Sequence, residues 1–216
     1  MVEAVKPNSD WLACIVAAPG PSLSPEAARA IHASGLPILA VNDAYKRLPF
    51  ADLLYACDAI WWHVRDGARE FTGEKWSSIG LPGRFMTNDK RREQIDYGLR
   101  LVYGDDRPRF STDPALIHYG SNSGFQAVNL ALHLGARHIV LAGFDMSGTH
   151  FFGAHEQPLR VTGSYVSFIR AFNEAAKHLP DGVRIINGNL ISALHCFPKL
   201  ELEHALSEIA GVCCAA

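Results

Sequence analysis

The sequence lacks any apolar run approaching the ~20 residues that a membrane-crossing helix needs, so no span is expected. Its opening, MVEAVKPNSD, is polar and has no apolar signal-peptide core, which points to a cytoplasmic protein. It lacks an excess of either charge: 20 Lys and Arg stand against 22 Asp and Glu, a formal net charge of −2. No global field therefore draws it to nucleic acid or an anionic membrane, and nucleic acid is not an expected partner. The one local basic patch, Lys90, Arg91 and Arg92 with Arg84 nearby, reads more simply as a solvated face. The five cysteines, Cys14, Cys57, Cys196, Cys213 and Cys214, have no CxxC spacing. An odd, scattered set suits a reducing compartment, with Cys14 and Cys57 as buried thiols inside apolar runs. There are no internal repeats, no low-complexity tracts, no GxGxxG, no Walker loop and no DxD motif.

What is present is an alternation. Short apolar runs, ACIVAA (Ala13–Ala18), LPILAVN (Leu36–Asn42), ADLLYACD (Ala51–Asp58), HIVLAGFD (His138–Asp145) and VRIINGN (Val183–Asn189), read as strands buried on both faces. Helical patterns lie between them. PEAARAIHAS follows Ser24 as N-cap, with Pro25 in its first turn. The stretch from Ser121 to Leu134 is strongly apolar and ends at Gly135, a natural C-terminal cap. Ser164 to Leu179 and LELEHALSEIA (Leu200–Ala210) are two more. The expected fold is a Rossmann-like three-layer α/β/α sandwich with a mainly parallel sheet, one domain over residues 1–216. Residues 59–119 are polar and broken by Gly and Pro, and are too long for a plain loop. They are expected to form an irregular insertion, lid-like, with GRFMT and LRLVY as short strands and with tryptophans that fill a small core.

Chemistry is expected where the strands end. Gly20, Pro21 and Ser22 follow the first strand and precede a helix, a place where free backbone N–H groups and a helix dipole suit a phosphate. Gly20 would allow close backbone approach, and a purely structural turn is the other reading. Asn42 and Asp43 end the second strand, where an amide or carboxylate reads a ribose or caps a helix. Asp58 ends the third. Asn122, Ser123 and Gly124 open the apolar helix and can cap it or meet a phosphate or base. Asp145 ends a later strand. His150 and His155 follow in a Gly-rich loop, and of the ten histidines these two are the candidate general bases, since an imidazole titrates near neutrality. Asp145 with these histidines matches no familiar ligand spacing, so no metal site is expected from them.

These residues carry a resemblance. IVAAPGPSL (Ile15–Leu23) resembles the VAGNGPSL opening of bacterial sialyltransferase family 42 and of the related MptE-like (DUF115) superfamily, which includes archaeal hydroxymethyl-dihydropterin diphosphokinases. SNSGFQAVNLALHLGARHIVLAGFDMS (Ser121–Ser147) resembles their Ser-Gly helix and the strand after it. The chain's length is similar to that of small phage and prophage members. The resemblance implies a nucleotide-binding transferase. Gly20, Pro21 and Ser22 match the family's phosphate-side loop, Asn42 a donor-contacting asparagine, Ser123 and Gly124 the Ser-Gly at the nucleotide, and Asp145 the later aspartate. Pro19, Asp58 and Asn122 depart from the family's Asn, Asn and Thr.

Three functions follow as expectations. One is a glycosyltransferase with a CMP-sugar-like donor, a His base, and Tyr165 or Arg160 at the leaving phosphate, with no cofactor. Another is a Mg²⁺-ATP diphosphokinase with the metal held by Asp58 and Asp145. The last is a non-catalytic nucleotide-binding or phage assembly module. The partner in each is a nucleotide or nucleotide sugar. The acceptor is unknown, and the sequence leaves assembly into a homo-oligomer open.

Overall fold

The computed structural model describes residues 2, 4–81, 96–159 and 164–213. The basic patch, the GRFMT stretch, Arg160 and Cys214 lie outside them. Eight strands form one parallel sheet: β1 (Ala13–Ala17), β2 (Ile38–Val41), β3 (Leu53–Tyr55), β4 (Glu74–Gly80), β5 (Arg100–Asp105), β6 (Leu116–His118), β7 (His138–Ala142) and β8 (Arg184–Asn187). Their spatial order is β6-β5-β4-β3-β2-β1-β7-β8. The order reverses at β1, which pairs with β2 on one side (Ile15 opposite Ile38) and β7 on the other (Ile15 opposite Val140).

Both faces of β1 are buried, and its side chains alternate between two cores. Ala13, Ile15 and Ala17 face a core completed by Ala28 and Ile31 of α1 (Pro25–Ala33), Trp61 and Trp62 of α2 (Ala59–Val64), and Ala205, Leu206 and Ile209 of α5 (Leu202–Cys213). Cys14 and Val16 face the other, built from Phe125, Val128 and Leu132 of α3 (Ser123–His133) and Phe172 and Ala175 of α4 (Tyr165–Ala176). The fold is thus the expected three-layer α/β/α sandwich. Among the described residues no helix is long and apolar enough to cross a membrane.

The helix ends follow local chemistry. Ser24 caps α1 by accepting from the Ala27 N–H at 3.1 Å, with Pro25 in the first turn. Asn122 caps α3 by accepting from the Phe125 N–H at 2.8 Å. Between Ala59 and Tyr119, where the sequence reads as an irregular insertion, the chain adds β4, β5 and β6 to the edge of the same sheet. The polar and Gly/Pro-rich stretches lie between those strands. Trp62 and Trp76 are fully buried there.

A buried polar cluster ties α3 to this added edge. Asn129, with no exposed surface, accepts from the Ser111 and His118 N–H groups at 2.8 and 3.0 Å. Its amide donates to the Ser111 carbonyl and lies 3.3 Å from His133 Nε2. Burial pushes both His118 and His133 below the ordinary imidazole value. The unfolded chain therefore takes up these protons first as pH falls, so folded stability declines from about pH 6.5 downward through the depressed folded values. Urea midpoints at about pH 7.5 and 5.5 should differ, the lower pH being less stable, and a His118→Gln/His133→Gln variant should show a smaller difference. Equal dependence in both proteins would remove these rings as its source.

Candidate functional site

In an all-parallel sheet the carboxyl ends of the strands share one edge, and ligands settle where the strand order reverses. A cavity of about 800 Å³ opens along that edge. Its walls come from the residues that follow or end the strands: Gly20 after β1, Asn42 after β2, Cys57 and Asp58 after β3, Ser78 and Gly80 in β4, Gly104 and Asp105 in β5, Tyr119 after β6, and Asp145 after β7. The first turn of α3 contributes Asn122, Ser123 and Gly124. The loop after β7 contributes His150 and His155, and α4 contributes Tyr165 and Phe168. Nine of the twelve sequence-predicted site residues line this one space; Pro21, Ser22 and Asp43 do not.

The Gly20–Ser22 turn differs from the expected phosphate cradle. Pro19 and Pro21 have no N–H. The Gly20 N–H donates to the Gly143 carbonyl at 3.1 Å, that of Leu23 to Gly20, and that of Ser24 to Ser22. The Ser22 N–H and hydroxyl both donate to the Asp145 carboxylate, the hydroxyl at 2.8 Å. The turn's donors are consumed inside the protein, and a carboxylate already fills the place of an anion. Asp145 also accepts from the Asn189 amide at 2.9 Å. Its charge thus joins the turns after β1, β7 and β8.

Asp43 is likewise structural. It is fully buried, with its carboxylate 2.7 Å from both Lys46 Nζ and Arg65 Nε and 3.0 Å from the Trp61 indole N–H, which donates to it. Burial opposes its charge, yet the hydrogen bonds from Lys46, Trp61 and Arg65 hold its carboxyl below the ordinary value. It caps no helix and does not line the cavity. Its neighbour Asn42 does face the cavity, in a left-handed conformation (φ 49°) that asparagine tolerates, with Oδ1 buried and without a partner among the described residues.

At the start of α3, the Ser123 and Gly124 N–H groups have no preceding helical turn to accept them. The Ser123 hydroxyl donates to Cys57 Sγ at 3.0 Å and accepts from the Cys57 N–H. Across the cavity the two histidines form an aromatic group. His150 stacks on Phe152 with centroids 4.9 Å apart and an interplanar angle of 4°, and His155 lies 4.4 Å from His150. Burial pushes both rings below the ordinary imidazole value, and for His155 the neighbouring His150 adds to the shift. Both shifts favour the neutral ring, the form able to accept a proton. The Phe151 N–H donates to the Pro19 carbonyl at 2.9 Å, which fixes this loop over the β1 turn.

No Lys or Arg lines the cavity among the described residues, while Asp58, Asp105, Asp106 and Asp145 do. Among the described residues no group of three or more His, Cys, Asp or Glu is placed to hold a metal ion. Asp58 presents an exposed carboxylate at the end of β3, whereas both oxygens of Asp145 are taken.

Sequence reasoning missed Gln126. It sits one turn into α3, 3% exposed, and lines the cavity. The available signal was a glutamine in a mostly apolar helical run that also holds Asn129 and His133, since a core does not accept such groups without partners.

No family model matches the chain, and no curated protein matches it. Among solved structures the chain is similar to the MAf glycosyltransferase from Magnetospirillum magneticum AMB-1, with a TM-score of 0.61 over 99% of this chain at 13% identity. The chain spans 38% of that protein's length. At that identity the likeness is one of fold: a Rossmann-like α/β architecture like that of this glycosyltransferase.

Proposed function

We propose that the chain is a glycosyltransferase-like transferase that binds a nucleotide sugar across the carboxyl edge of its sheet. The observation that carries this reading is one cavity holding both the N-terminus of α3 and a pair of neutral histidines. The motif resemblance to sialyltransferase family 42 and the fold likeness to a glycosyltransferase support it. In this reading the donor phosphate lies at Ser123 and Gly124, where unpaired N–H groups and the helix dipole favour negative charge. His155 or His150 removes the proton of an acceptor hydroxyl. The acceptor oxygen then bonds to the anomeric carbon as the bond to the phosphate oxygen breaks, and the nucleotide leaves with that electron pair. Burial, with the charge of Asp145, pushes Tyr165 above the ordinary phenol value, so it keeps its proton, which it donates to the Gly148 carbonyl at 3.3 Å at the cavity wall.

Among the described residues the lining holds carboxylates and no cationic side chain, which favours a second reading, in which Mg²⁺ accompanies a di- or triphosphate. Asp58 fits such a role. Asp145, bonded to Ser22 and Asn189, does not.

A thermal-shift panel of CMP, CDP, UDP, GDP, ATP and their sugars, with and without Mg²⁺, separates these readings. A ligand at ~100 times its Kd stabilises by about 2.7 kcal/mol. CMP- or UDP-type stabilisation without metal is the expected result. Stabilisation by ATP that requires Mg²⁺ supports phosphotransfer, tight binding with no turnover supports a binding module, and no shift with any compound overturns the nucleotide reading.

A further inference from the structure

Gln126 is a polar side chain 3% exposed, within a helix whose other residues are buried as well. Such a group is retained in a core only when its hydrogen bonds are met. Its carbonyl end is met twice. The Tyr55 hydroxyl donates to Oε1 at 2.6 Å and the Ser78 hydroxyl donates to it at 2.9 Å. A separation of 2.6 Å suits O–H···O and is short for N–H···O, so the oxygen, not the nitrogen, faces Tyr55. Tyr55 is fully buried in β3 and Ser78 is 2% exposed in β4. Their positions are set by the sheet, and the amide plane is set by them.

The other end of the amide has no partner among the described residues, and Gln126 lines the cavity. Nε2 carries two protons and no acceptor capacity. Ser123, three residues earlier and on the same helix face, lines the cavity too. The two-proton end is therefore a fixed donor over the β3–β4 end of the cavity, on a rigid helix rather than a loop.

We propose that Gln126 is a specificity-determining residue that recognises a carbonyl oxygen of the ligand. This inference rests on the nucleotide-sugar reading above. Two parts of such a ligand carry a carbonyl oxygen: the oxo group of a pyrimidine or guanine base, and the acyl group of an N-acylated sugar. Turning the amide over would put Nε2 2.6 Å from the Tyr55 oxygen, closer than an N–H···O bond allows, so this end stays a donor. Ligands offering only an amino group at that place are rejected, and adenine, which has no oxo group, is the natural control.

The test compares the wild-type chain with Gln126→Met and Gln126→Glu by titration calorimetry. The ligands are CMP, UMP, GMP, AMP, UDP-glucose and UDP-N-acetylglucosamine, with the unliganded thermal midpoint as a check on folding. The expected result is a loss of about tenfold in affinity in both variants for carbonyl-bearing ligands only. Loss for CMP, UMP, GMP and both UDP-sugars but not AMP assigns the contact to the base. Loss for UDP-N-acetylglucosamine alone assigns it to the acyl group. Equal loss for AMP, or no loss for any ligand in a folded variant, overturns the role of Gln126 and leaves the transferase reading standing. No binding of any of these ligands by the wild-type chain overturns that reading and this inference together.

Discussion

Gly20→Val should lower folding stability by about 3–5 kcal/mol, a fall in thermal midpoint of roughly 10 °C for a chain of this size. A Cβ at Gly20 would lie 2.1 Å from Asp145 Oδ2 and 2.3 Å from the Gly143 carbonyl oxygen. Neither neighbour can yield cheaply. Gly143 O is backbone, and it accepts the Gly20 N–H. The carboxylate is held by Ser22 and Asn189. The approach is reciprocal: Gly143 has φ 68°, and a Cβ there would lie 2.0 Å from the Ala18 carbonyl oxygen. The turns after β1 and β7 thus press backbone on backbone at the point where strand order reverses. Overpacking costs about 1–3 kcal/mol, and stranding the buried donors and carboxylate of this clamp adds a comparable amount. Circular dichroism melts decide the matter. A Gly20→Val protein that keeps its midpoint within a degree or two yet loses nucleotide affinity would falsify the clamp and restore the turn as a phosphate cradle.

The same turn marks how far the sequence reaches. Continuous apolar runs with clear caps made β1, β2, β7, α1 and α3 legible, because both faces of a parallel strand are apolar and a capped helix announces its ends. β4 was not legible. Its charged start, Glu74 and Lys75, and the Ser77-Ser78 pair break the apolar pattern, and for Ser78 a partner in Gln126 is supplied only by the tertiary structure. β6 spans three residues, too short for any period.

The site was legible as a place, since strand ends in a parallel sheet converge whatever their residues do. The roles of individual residues were less so. Asp43 reads as a ribose ligand until Arg65 and Trp61, some twenty residues later in the chain, are seen to close around it. Ser22 reads as a phosphate ligand until Asp145, 123 residues away, is seen to accept its hydroxyl. Charge in each case finds a partner inside the fold, and only the tertiary structure names that partner.

His155→Ala should reduce turnover by about 10²–10⁴-fold while leaving nucleotide affinity within a factor of about two, the range expected for loss of a general base. His150→Ala should act on the same step, because the rings stand 4.4 Å apart and His150 helps hold His155 neutral. The pH profile gives an independent check. A base must be unprotonated, and burial has pushed both rings below the ordinary imidazole value of about 6.5. The rate should therefore stay level as pH falls through 6.5, and decline only below it. Replacing Phe152, which stacks on His150, with Leu would open the group to water and move that decline upward without abolishing turnover. A His155→Ala enzyme with unchanged turnover would leave His150 as the base. Unchanged turnover in the double variant would mean the proton leaves by another route, for which Asp58 offers an exposed carboxylate on the cavity wall.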